Sequence, residues 1–232
     1  MLYGYSTIMV LSLKIISWNI SGISSPAKRT KVLNRLNSLE SCFIQETHLT
    51  ESESPTLTAK WIGQTYHSVC NLKKCGTSIL IRKDISFISS YILTDPEGHY
   101  VIINGTIGKD TLTLVNIYGP NSESPAFFHS LVSETSKFSD SAFIIGGDFN
   151  TVLNPRIDRS ISAQCDINNN STTLLKQYMS DYGLVGIWRL QNPSSKEYSY
   201  YSLFRKSYSH IDYFLSKNSI AHRIIHSDNN SI

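Results

Sequence analysis

The hydrophobic positions of this chain fall into short runs whose spacing alternates between that of strands and that of helices. The first run, LSLKIISWNI at residues 11–20, predicts a strand. Ser25 and Pro26 then supply an N-cap and a first-turn proline for a helix whose apolar residues repeat at helical spacing. CFIQET at 42–47 is a second apolar run, and it ends in polar groups. The chain therefore begins with a strand, a helix and a strand.

The central part of the chain predicts hairpins rather than crossovers. Four β-like stretches separated by short turns cover residues 77–85, 87–93, 99–107 and 111–119. Ser124 and Pro125 open a second helix, and the strand FIIGGDFN at 143–150 follows it. After a polar segment at 155–171, a third helix is predicted to begin at Ser171.

Two further strand-like runs, EYSYYS and SHIDYFLS, flank a basic turn in the tail. About nine strands and three helices in this order predict an α/β protein with two packed, mainly antiparallel sheets and helices on the outside. A Rossmann fold fits less well, because no glycine-rich phosphate turn joins the first strand to the first helix. No linker divides the chain, so residues 13–232 are predicted as one domain and residues 1–12 receive no element.

Composition agrees with a single globular domain. The 232 residues are 41% hydrophobic and 17% charged, which is ordinary for a folded protein. The apolar start lacks a basic n-region and a cleavage site, and it is too short to span a bilayer. The cysteines at 42, 70, 75 and 165 match neither a zinc site nor a disulfide framework, so reduced thiols are expected. These features predict a nuclear or cytoplasmic protein that is neither secreted nor bound to a membrane.

Charge is informative only locally. The net charge of +3 is too small to indicate nucleic-acid binding, because a basic face matters more than a basic total. Four basic clusters lie beside turn-forming residues: Lys28, Arg29 and Lys31; Lys73 and Lys74; Arg156 and Arg159; and Arg205 with Lys206. Taken singly, each cluster is typical of a solvated surface.

Polar residues follow several predicted strands at the point where the apolar run stops. They are Asn19, Glu46, Tyr118, Asp148 and Asn150, and Asp212 lies within the tail strand. Residues two apart in a strand point the same way, so Asp148 and Asn150 are predicted to address one point while Phe149 turns into the core. Each residue alone has an ordinary structural explanation. Several strands that end in the same way indicate a site.

The chemistry of this set favours a hard cation. Glu46 is a carboxylate with carboxamides nearby and without thiolates or clustered histidines, which suits a Mg²⁺ that keeps most of its waters. Such a metal polarises a phosphoryl oxygen. Asp148 would orient or deprotonate an attacking water, and Asn150 would donate hydrogen bonds to phosphate. The residues alone thus predict a hydrolytic metal site suited to phosphodiesters.

Several motifs in order resemble a known family. They are WNISGISSPAKRTKVL, CFIQETHLT, DPEGHYVIINGTI, TLVNIYGPN, IIGGDFNTVL, DRS, EYSYYS and SHID. This order resembles the endonuclease domain of non-LTR retrotransposons, long interspersed elements, over residues 13 to about 217. That domain belongs to the endonuclease/exonuclease/phosphatase superfamily, with DNase I, exonuclease III and the apurinic-site endonucleases. The fold that the resemblance implies is a four-layered α/β sandwich.

The resemblance also implies roles for the strand-end residues. Glu46 is similar to the family's magnesium ligand, with Asn19 beside it; Mn²⁺ is the alternative ion. Tyr118, Asp148 and Asn150 match the residues that hold the scissile phosphate and the nucleophilic water. Asp212 matches the carboxylate that orients the catalytic histidine.

The resemblance further implies partners. Ser199 and Ser209 fall on hairpin positions that help shape the DNA-contacting surface, and Arg205 and Lys206 lie in the loop between them. Arg159 of the DRS motif joins the same predicted surface. We expect a monomer that contacts the backbone of double-stranded DNA, with a reverse transcriptase downstream in a longer reading frame.

The sequence departs from the family in one important way. The family closes with a Ser-Asp-His motif that supplies the catalytic histidine, and the tail HRIIHSDNNSI does not contain it. Ser227, Asp228 and Asn229 spell Ser-Asp-Asn but follow Asp212 too closely to align without a deletion. The final strand and its motif are therefore predicted to be missing, which would leave a sheet edge unpaired and Asp212 without its partner.

Three functions follow from this departure. The first is a magnesium-dependent phosphodiesterase that nicks DNA at target or apurinic sites, impaired by the missing histidine. The second is a non-catalytic remnant that binds nucleic-acid backbone through its basic loops. The third keeps the scaffold and hydrolyses lipid headgroup phosphates, as phosphoinositide phosphatases do. The QETHLT and hairpin motifs count against the third.

Overall fold

A computed structural model describes residues 5–10, 13–70, 74–160 and 170–230. Fourteen strands lie in these residues. They are β1 (Tyr5–Val10), β2 (Leu13–Asn19), β3 (Ser41–Gln45), β4 (Gly63–Ser68), β5 (Thr77–Arg82), β6 (Phe87–Thr94), β7 (Tyr100–Ile107), β8 (Asp110–Tyr118), β9 (Ala142–Asp148), β10 (Leu184–Gly186), β11 (Tyr200–Ser202), β12 (Ser207–Ser209), β13 (Asp212–Lys217) and β14 (Ile224–Asn230). The helices are α1 (Pro26–Leu36), α2 (Pro55–Thr58), α3 (Pro125–Ser136), α4 (Asn170–Asp181), α5 (Ile187–Gln191) and α6 (Asn218–Ala221).

The strands form two six-stranded sheets and a small hairpin. The first sheet has the order β14-β1-β2-β3-β5-β4, and the second has the order β10-β13-β9-β8-β7-β6. The pairs β2–β3 and β8–β9 are parallel, and the remaining pairs are antiparallel. β11 and β12 form the hairpin. The mixed, mainly antiparallel character predicted from the sequence is confirmed.

Alternation along the strands divides the apolar residues among three cores. Phe43 of β3 faces the space between the sheets, where its ring lies 6.0 Å from that of Phe214. Its neighbours Cys42 and Ile44 face outward and pack with α1. The outer face of the second sheet packs with α3 and α4. Helix, sheet, sheet and helix layers follow one another, as the four-layered sandwich requires.

Two elements at the start and end of the first sheet differ from the sequence-based expectation. Residues 5–10, which received no element, form β1 and pair with β2. Residues 224–230, in the region where a final strand was expected to be missing, form β14 on the other side of β1. The prediction of an unpaired edge at β2 is therefore wrong, because β1 supplies the backbone partners for that edge.

Smaller differences concern exposed or short elements. β4 was not predicted because an edge strand with the sequence GQTYHS carries few apolar residues. α4 begins one residue before the predicted Ser171. Lys73, Cys165 and most of the predicted polar loop, residues 161–169, lie outside the described residues.

Candidate active site

The predicted site residues meet at one end of the two sheets. In the second sheet, Tyr118, Asp148 and Asp212 occupy one row across β8, β9 and β13. In the first sheet, Asn19 ends β2 opposite Gln45 of β3. Glu46 follows Gln45 directly. The carboxylates at 46, 148 and 212 therefore share one cleft, as the strand-end pattern predicts.

Asn19 joins the two halves of this cleft. Its side-chain Nδ2 donates hydrogen bonds to Oε1 of Glu46 and to Oδ2 of Asp148, both at 2.9 Å. Its Oδ1 accepts the backbone N–H of Ser21 at 3.0 Å, and the residue is buried. Because the amide nitrogen faces both carboxylates, Asn19 here orients Glu46 rather than offering an oxygen to a metal.

Glu46 is held in place by several donors. It lies just beyond β3 with a φ of +51°, a left-handed conformation that turns its side chain out of the strand path. Nε2 of His48 lies 3.4 Å from its Oε2, and Nδ2 of Asn19 donates to its Oε1. The sequence alone gave His48 no role in the site. Its position two residues after the carboxylate was the available signal.

Asp148 and Asn150 are brought together by a turn, not by strand alternation. β9 ends at Asp148, and Asn150 has a φ of +49°. The backbone N–H of Asn150 donates to Oδ1 of Asp148 at 2.9 Å, and its Nδ2 donates to the carbonyl of Gly119 at 2.8 Å. Phe149 is fully buried, as predicted. Gly147, at φ +143°, allows β9 to lie close to β8, since a Cβ at this position would collide with the carbonyl oxygen of Ile117.

Burial and mutual repulsion set the protonation of the cleft. Burial, and then the charge of Glu46, raise the pKa of Asp148 to about 6 against the hydrogen bonds of Asn19 and Asn150. The pKa of Asp212 is raised well above its usual value by burial, then by the charges of Asp148 and Glu46. The pKa of Tyr118 is also raised, first by burial and then by Glu46. A cleft that disfavours anions in this way is suited to a cation.

Asp212 has a partner that the sequence did not indicate. The hydroxyl of Ser199 accepts the backbone N–H groups of Ile211 and Asp212 at 3.2 and 3.1 Å, and its hydrogen bonding lowers the pKa of Asp212 against the effect of burial. Ser199 is buried, so its hydroxyl supports Asp212 from within the protein. Asp212 therefore has a polar neighbour at the start of β13, whereas the sequence predicted an isolated carboxylate.

Replacement of Asp212 is expected to stabilise the metal-free protein. A raised folded-state pKa means that stability is lost as pH rises from the unfolded value of about 4 toward the folded one. Asp212→Asn removes this loss, so the variant should have the higher free energy of unfolding at pH 8, and its advantage over the wild type should be smaller at pH 5. Urea unfolding in EDTA at pH 5 and pH 8 measures the free energy of unfolding of the variant and of the wild type. Asp140→Asn, at an exposed carboxylate, is the control, and a less stable Asp212→Asn at pH 8 contradicts the prediction.

The hairpin surface gathers four of the predicted DNA-contacting residues, Arg159, Arg205, Lys206 and Ser209, whereas the fifth, Ser199, is buried beside Asp212 and not available to contact DNA. The backbone of Arg159 forms an isolated antiparallel β-bridge with Ser209 of β12. Burial, and then the charge of Arg205, lower the pKa of Arg159, which reflects how close the two guanidinium groups lie. Arg205 and Lys206 are exposed at the β11–β12 turn. Phe204 beside them is 96% exposed.

His210 and His222 do not take the place of the histidine in the family's closing motif. His210 is buried, stacks on Trp188 and Tyr213, and donates its backbone N–H to the carbonyl of Asp158 at 2.9 Å. His222 is exposed after α6. Asn229 of the Ser-Asp-Asn triplet lies on β14 and pairs with Ser6 of β1. Ser6 in turn pairs with β2, so β1 lies between the triplet and β2. The triplet is thus two strands away from β2.

The cysteines differ from the expectation of reduced thiols. Cys70 and Cys75 form a disulfide with a Cα–Cα distance of 6.1 Å, and they pack against Tyr118. Cys42 is a free, buried thiol. A separation of five residues is compatible with either state, so the sequence could not decide between a disulfide and two thiols.

The donor chemistry fits a hydrated Mg²⁺ better than a fully protein-ligated metal. Among the described residues, no group of three or more histidine, cysteine, aspartate or glutamate side chains surrounds one point. Glu46 nevertheless offers a partly exposed carboxylate oxygen, with a side-chain exposure of 17%, beside the buried carboxylate of Asp148. Oxygen donors with room for water are the ligands that Mg²⁺ prefers.

Comparison with known proteins gives the family to which this fold belongs. The Endonuclease/Exonuclease/phosphatase family matches residues 16–230. The chain belongs to this family. It is thus an enzyme by family, of the nuclease and phosphatase class, with the DNase I-like sandwich.

Individual relatives connect the family to transposons and to DNA. The chain is 29% identical over 199 residues to the uncharacterized 149 kDa protein of transposon TX1 from Xenopus laevis, a match that covers 82% of this chain and 15% of that protein. It spans only this small part of its relative. AP endonuclease LMAP from Leishmania major superposes with a TM-score of 0.75 at 18% identity, covering 90% of this chain and 80% of that one.

The 3′ phosphatase NExo from Neisseria, solved with a product DNA hairpin, superposes with a TM-score of 0.68 at 17% identity. The match covers 90% of this chain and 88% of NExo. These structural likenesses show the fold. In the described part of this chain, no helix has the length and apolar character needed to cross a membrane.

Proposed function

We propose that this chain is a Mg²⁺-dependent endonuclease domain that nicks double-stranded DNA. The observation that carries the proposal is the hydrogen-bonded bridge from Glu46 through Asn19 to Asp148, which unites one polar strand end from each sheet in a single cleft. The match to a transposon protein and the DNA-bound relative support DNA as the substrate. The order of strand-end residues supports hydrolysis over simple binding.

The roles of the residues follow from their surroundings. Glu46 would hold Mg²⁺ or Mn²⁺, with Asn19 and His48 fixing its orientation. When bound, this ion would polarise a phosphoryl oxygen and stabilise charge on the departing oxygen. Asp148 would accept a proton from the attacking water, whose oxygen bonds to phosphorus as the phosphorus–oxygen bond to one nucleotide breaks. Tyr118 and Asn150 would donate hydrogen bonds to the phosphate.

The hairpin surface would hold the DNA backbone. Removal of one arginine that binds a phosphate should lower the slope of log affinity against log salt by about 0.9 and weaken binding to all sequences alike. We expect this for Arg159→Gln and Arg205→Gln, measured by fluorescence anisotropy on a duplex over a range of salt concentrations. Arg223→Gln is the control, since Arg223 lies near Asp110 at 3.6 Å, away from the hairpin. Equal slopes for the wild type and all three variants contradict the prediction.

The function is tested by plasmid nicking. Supercoiled plasmid is incubated with the chain in Mg²⁺, in Mn²⁺ and in EDTA, and the open-circular product is quantified. We expect product with either metal and none in EDTA. The absence of product at high enzyme concentration, together with salt-dependent DNA binding, would replace the proposal by the binding-only alternative.

That alternative, a nucleic-acid-binding remnant, rests on one specific observation. β1 lies beside Asp212, where the Ser6 hydroxyl donates to the Asp212 carbonyl at 3.4 Å. The Ser-Asp-Asn triplet is held one strand further out. A histidine from the closing motif is therefore not supplied by this triplet, and we expect slow nicking even if the metal site is intact.

A further inference from the structure

A buried layer of amide groups lies directly beneath the candidate active site. Gln45 and Asn116 are fully buried, and Ser17 is 1% exposed. Gln45 precedes Glu46, and Asn116 stands two residues before Tyr118 on the same face of β8. One step deeper on the same faces, Phe43 and Leu114 belong to the apolar core between the sheets. The layer therefore separates that core from the catalytic cleft.

This layer connects the two sheets by directed hydrogen bonds. Nδ2 of Asn116 donates to the carbonyls of Ile44 and Ser78 at 3.0 and 2.8 Å. These oxygens can only accept, so the amide orientation is fixed and Oδ1 of Asn116 faces Gln45. Nε2 of Gln45 donates to that oxygen at 2.6 Å and to the hydroxyl of Ser17 at 3.0 Å. Asn116 of the second sheet is thus tied to β3 and β5 of the first.

Stability alone does not account for this arrangement. Oε1 of Gln45 is buried without a hydrogen-bond partner among the described residues, and such a group normally costs stability. Apolar side chains would remove this unpaired oxygen, but the carbonyls of Ile44 and Ser78 would lose their donor. The amides add directional hydrogen bonds between the two sheets. These bonds lie just below the residues of the two sheets that face each other across the cleft.

We propose that Gln45 and Asn116 are positioning residues that hold Glu46 of one sheet and Tyr118 of the other in register across the cleft. The inference rests on the proposed function and deepens it. Glu46 lies beyond the last residue of β3, and Tyr118 ends β8. A shift of one sheet against the other would separate them. The amide pair opposes that shift one layer below the reacting groups.

The test compares Asn116→Leu with Leu114→Ala. The first replaces the amide by an apolar group of similar shape, and the second opens a cavity in the apolar layer of the same strand face. Asn116→Leu should lower kcat for plasmid nicking by about 10–100-fold with little change in KM, the range found when groups that orient ligands are lost. Both variants should lower the melting temperature, because Asn116→Leu leaves the carbonyls of Ile44 and Ser78 without their donor. Leu114→Ala should lower kcat less than Asn116→Leu does, with kcat measured well below both melting temperatures.

A second variant separates positioning from structure. Tyr118→Phe is made in the wild type and in Asn116→Leu, and we expect a smaller fold-loss of kcat in the second background because Tyr118 no longer addresses the phosphate there. Equal fold-losses in both backgrounds overturn the inference. So does a kcat for Asn116→Leu no lower than that of Leu114→Ala.

Metal binding keeps this result distinct from a failure of the proposed function. If the wild-type chain does not nick, the proposed function fails, and Mn²⁺ affinity from water proton relaxation carries the test. About tenfold weaker Mn²⁺ binding by Asn116→Leu than by Leu114→Ala supports the inference. Equal affinities, or no binding of Mn²⁺ by the wild type, overturn it.

Discussion

Glu46→Gln should reduce Mg²⁺-dependent nicking by about 10³-fold or more. A metal ion supplies several kcal/mol of charge stabilisation in the transition state, and each 1.36 kcal/mol is worth about a factor of ten in rate. The glutamine keeps the side-chain length and an oxygen that can accept from Asn19, so the fold should be retained. What is lost is the negative charge that attracts the ion to a carboxyl that accepts a hydrogen bond from Asn19 and lies 3.4 Å from His48.

The initial rate of open-circle formation over a range of Mg²⁺ concentrations checks this expectation. Saturating metal should restore part of the rate if affinity alone is lost, and none if the charge also acts in the chemical step. Glu51→Gln is the matched control, because Glu51 lies exposed in the loop that follows and should nick like the wild type. A rate for Glu46→Gln within tenfold of that control would assign the metal to other residues.

The strand ends could be predicted from sequence because each one joins two strong local signals. An apolar run marks a buried strand, and the polar residue that stops it marks the edge of the sheet. This logic located Asn19, Glu46, Tyr118 and Asp148 without coordinates. The contact between them depends on how two sheets pack, which no local pattern encodes. The resemblance, rather than the pattern, supplied the roles.

Backbone turns account for several differences between prediction and structure. Glu46 and Asn150 adopt positive φ values, which local propensity does not indicate for glutamate. Asn150 therefore reaches Asp148 through a turn, whereas strand alternation predicted a shared face. β4 was not predicted because its polar sequence offers no apolar run of the usual length. The contact of Ser199 with Asp212 was not predicted because the strands of the hairpin at 200–209 are equally short of apolar residues.

The strand pairing at the edge of the first sheet could not be predicted from the sequence either. β1 was left without an element because the mixed apolar start of the chain gave no clear strand or helix period. Its register with β2, from Tyr5 opposite Trp18 to Val10 opposite Leu13, shows instead that it completes the hydrogen bonding of that strand. The expected open edge came from the family pattern. Here the same edge is paired from the opposite end of the chain.

Asp148→Asn should lower nicking by about 10²–10⁴-fold, the usual contribution of a positioned general base. Both carboxylate oxygens already accept hydrogen bonds, one from Asn19 and one from the backbone of Asn150. An asparagine must therefore turn its NH₂ toward one donor, so the variant loses the proton acceptor and also loosens the bridge to Glu46. DNA affinity in EDTA should stay the same or rise, because a negative charge is removed from the cleft.

Rate and affinity together separate catalysis from folding for this variant. Plasmid nicking in Mg²⁺ and duplex anisotropy in EDTA are measured for Asp148→Asn and for Asp140→Asn, an exposed carboxylate just before β9. Loss of nicking with retained binding assigns Asp148 to the chemical step, since an unfolded protein would lose both. Nicking by Asp148→Asn at the rate of Asp140→Asn would mean that the proton acceptor lies elsewhere in the cleft, with Asp212, the neighbour of Asp148 in the same row, as the next carboxylate to test.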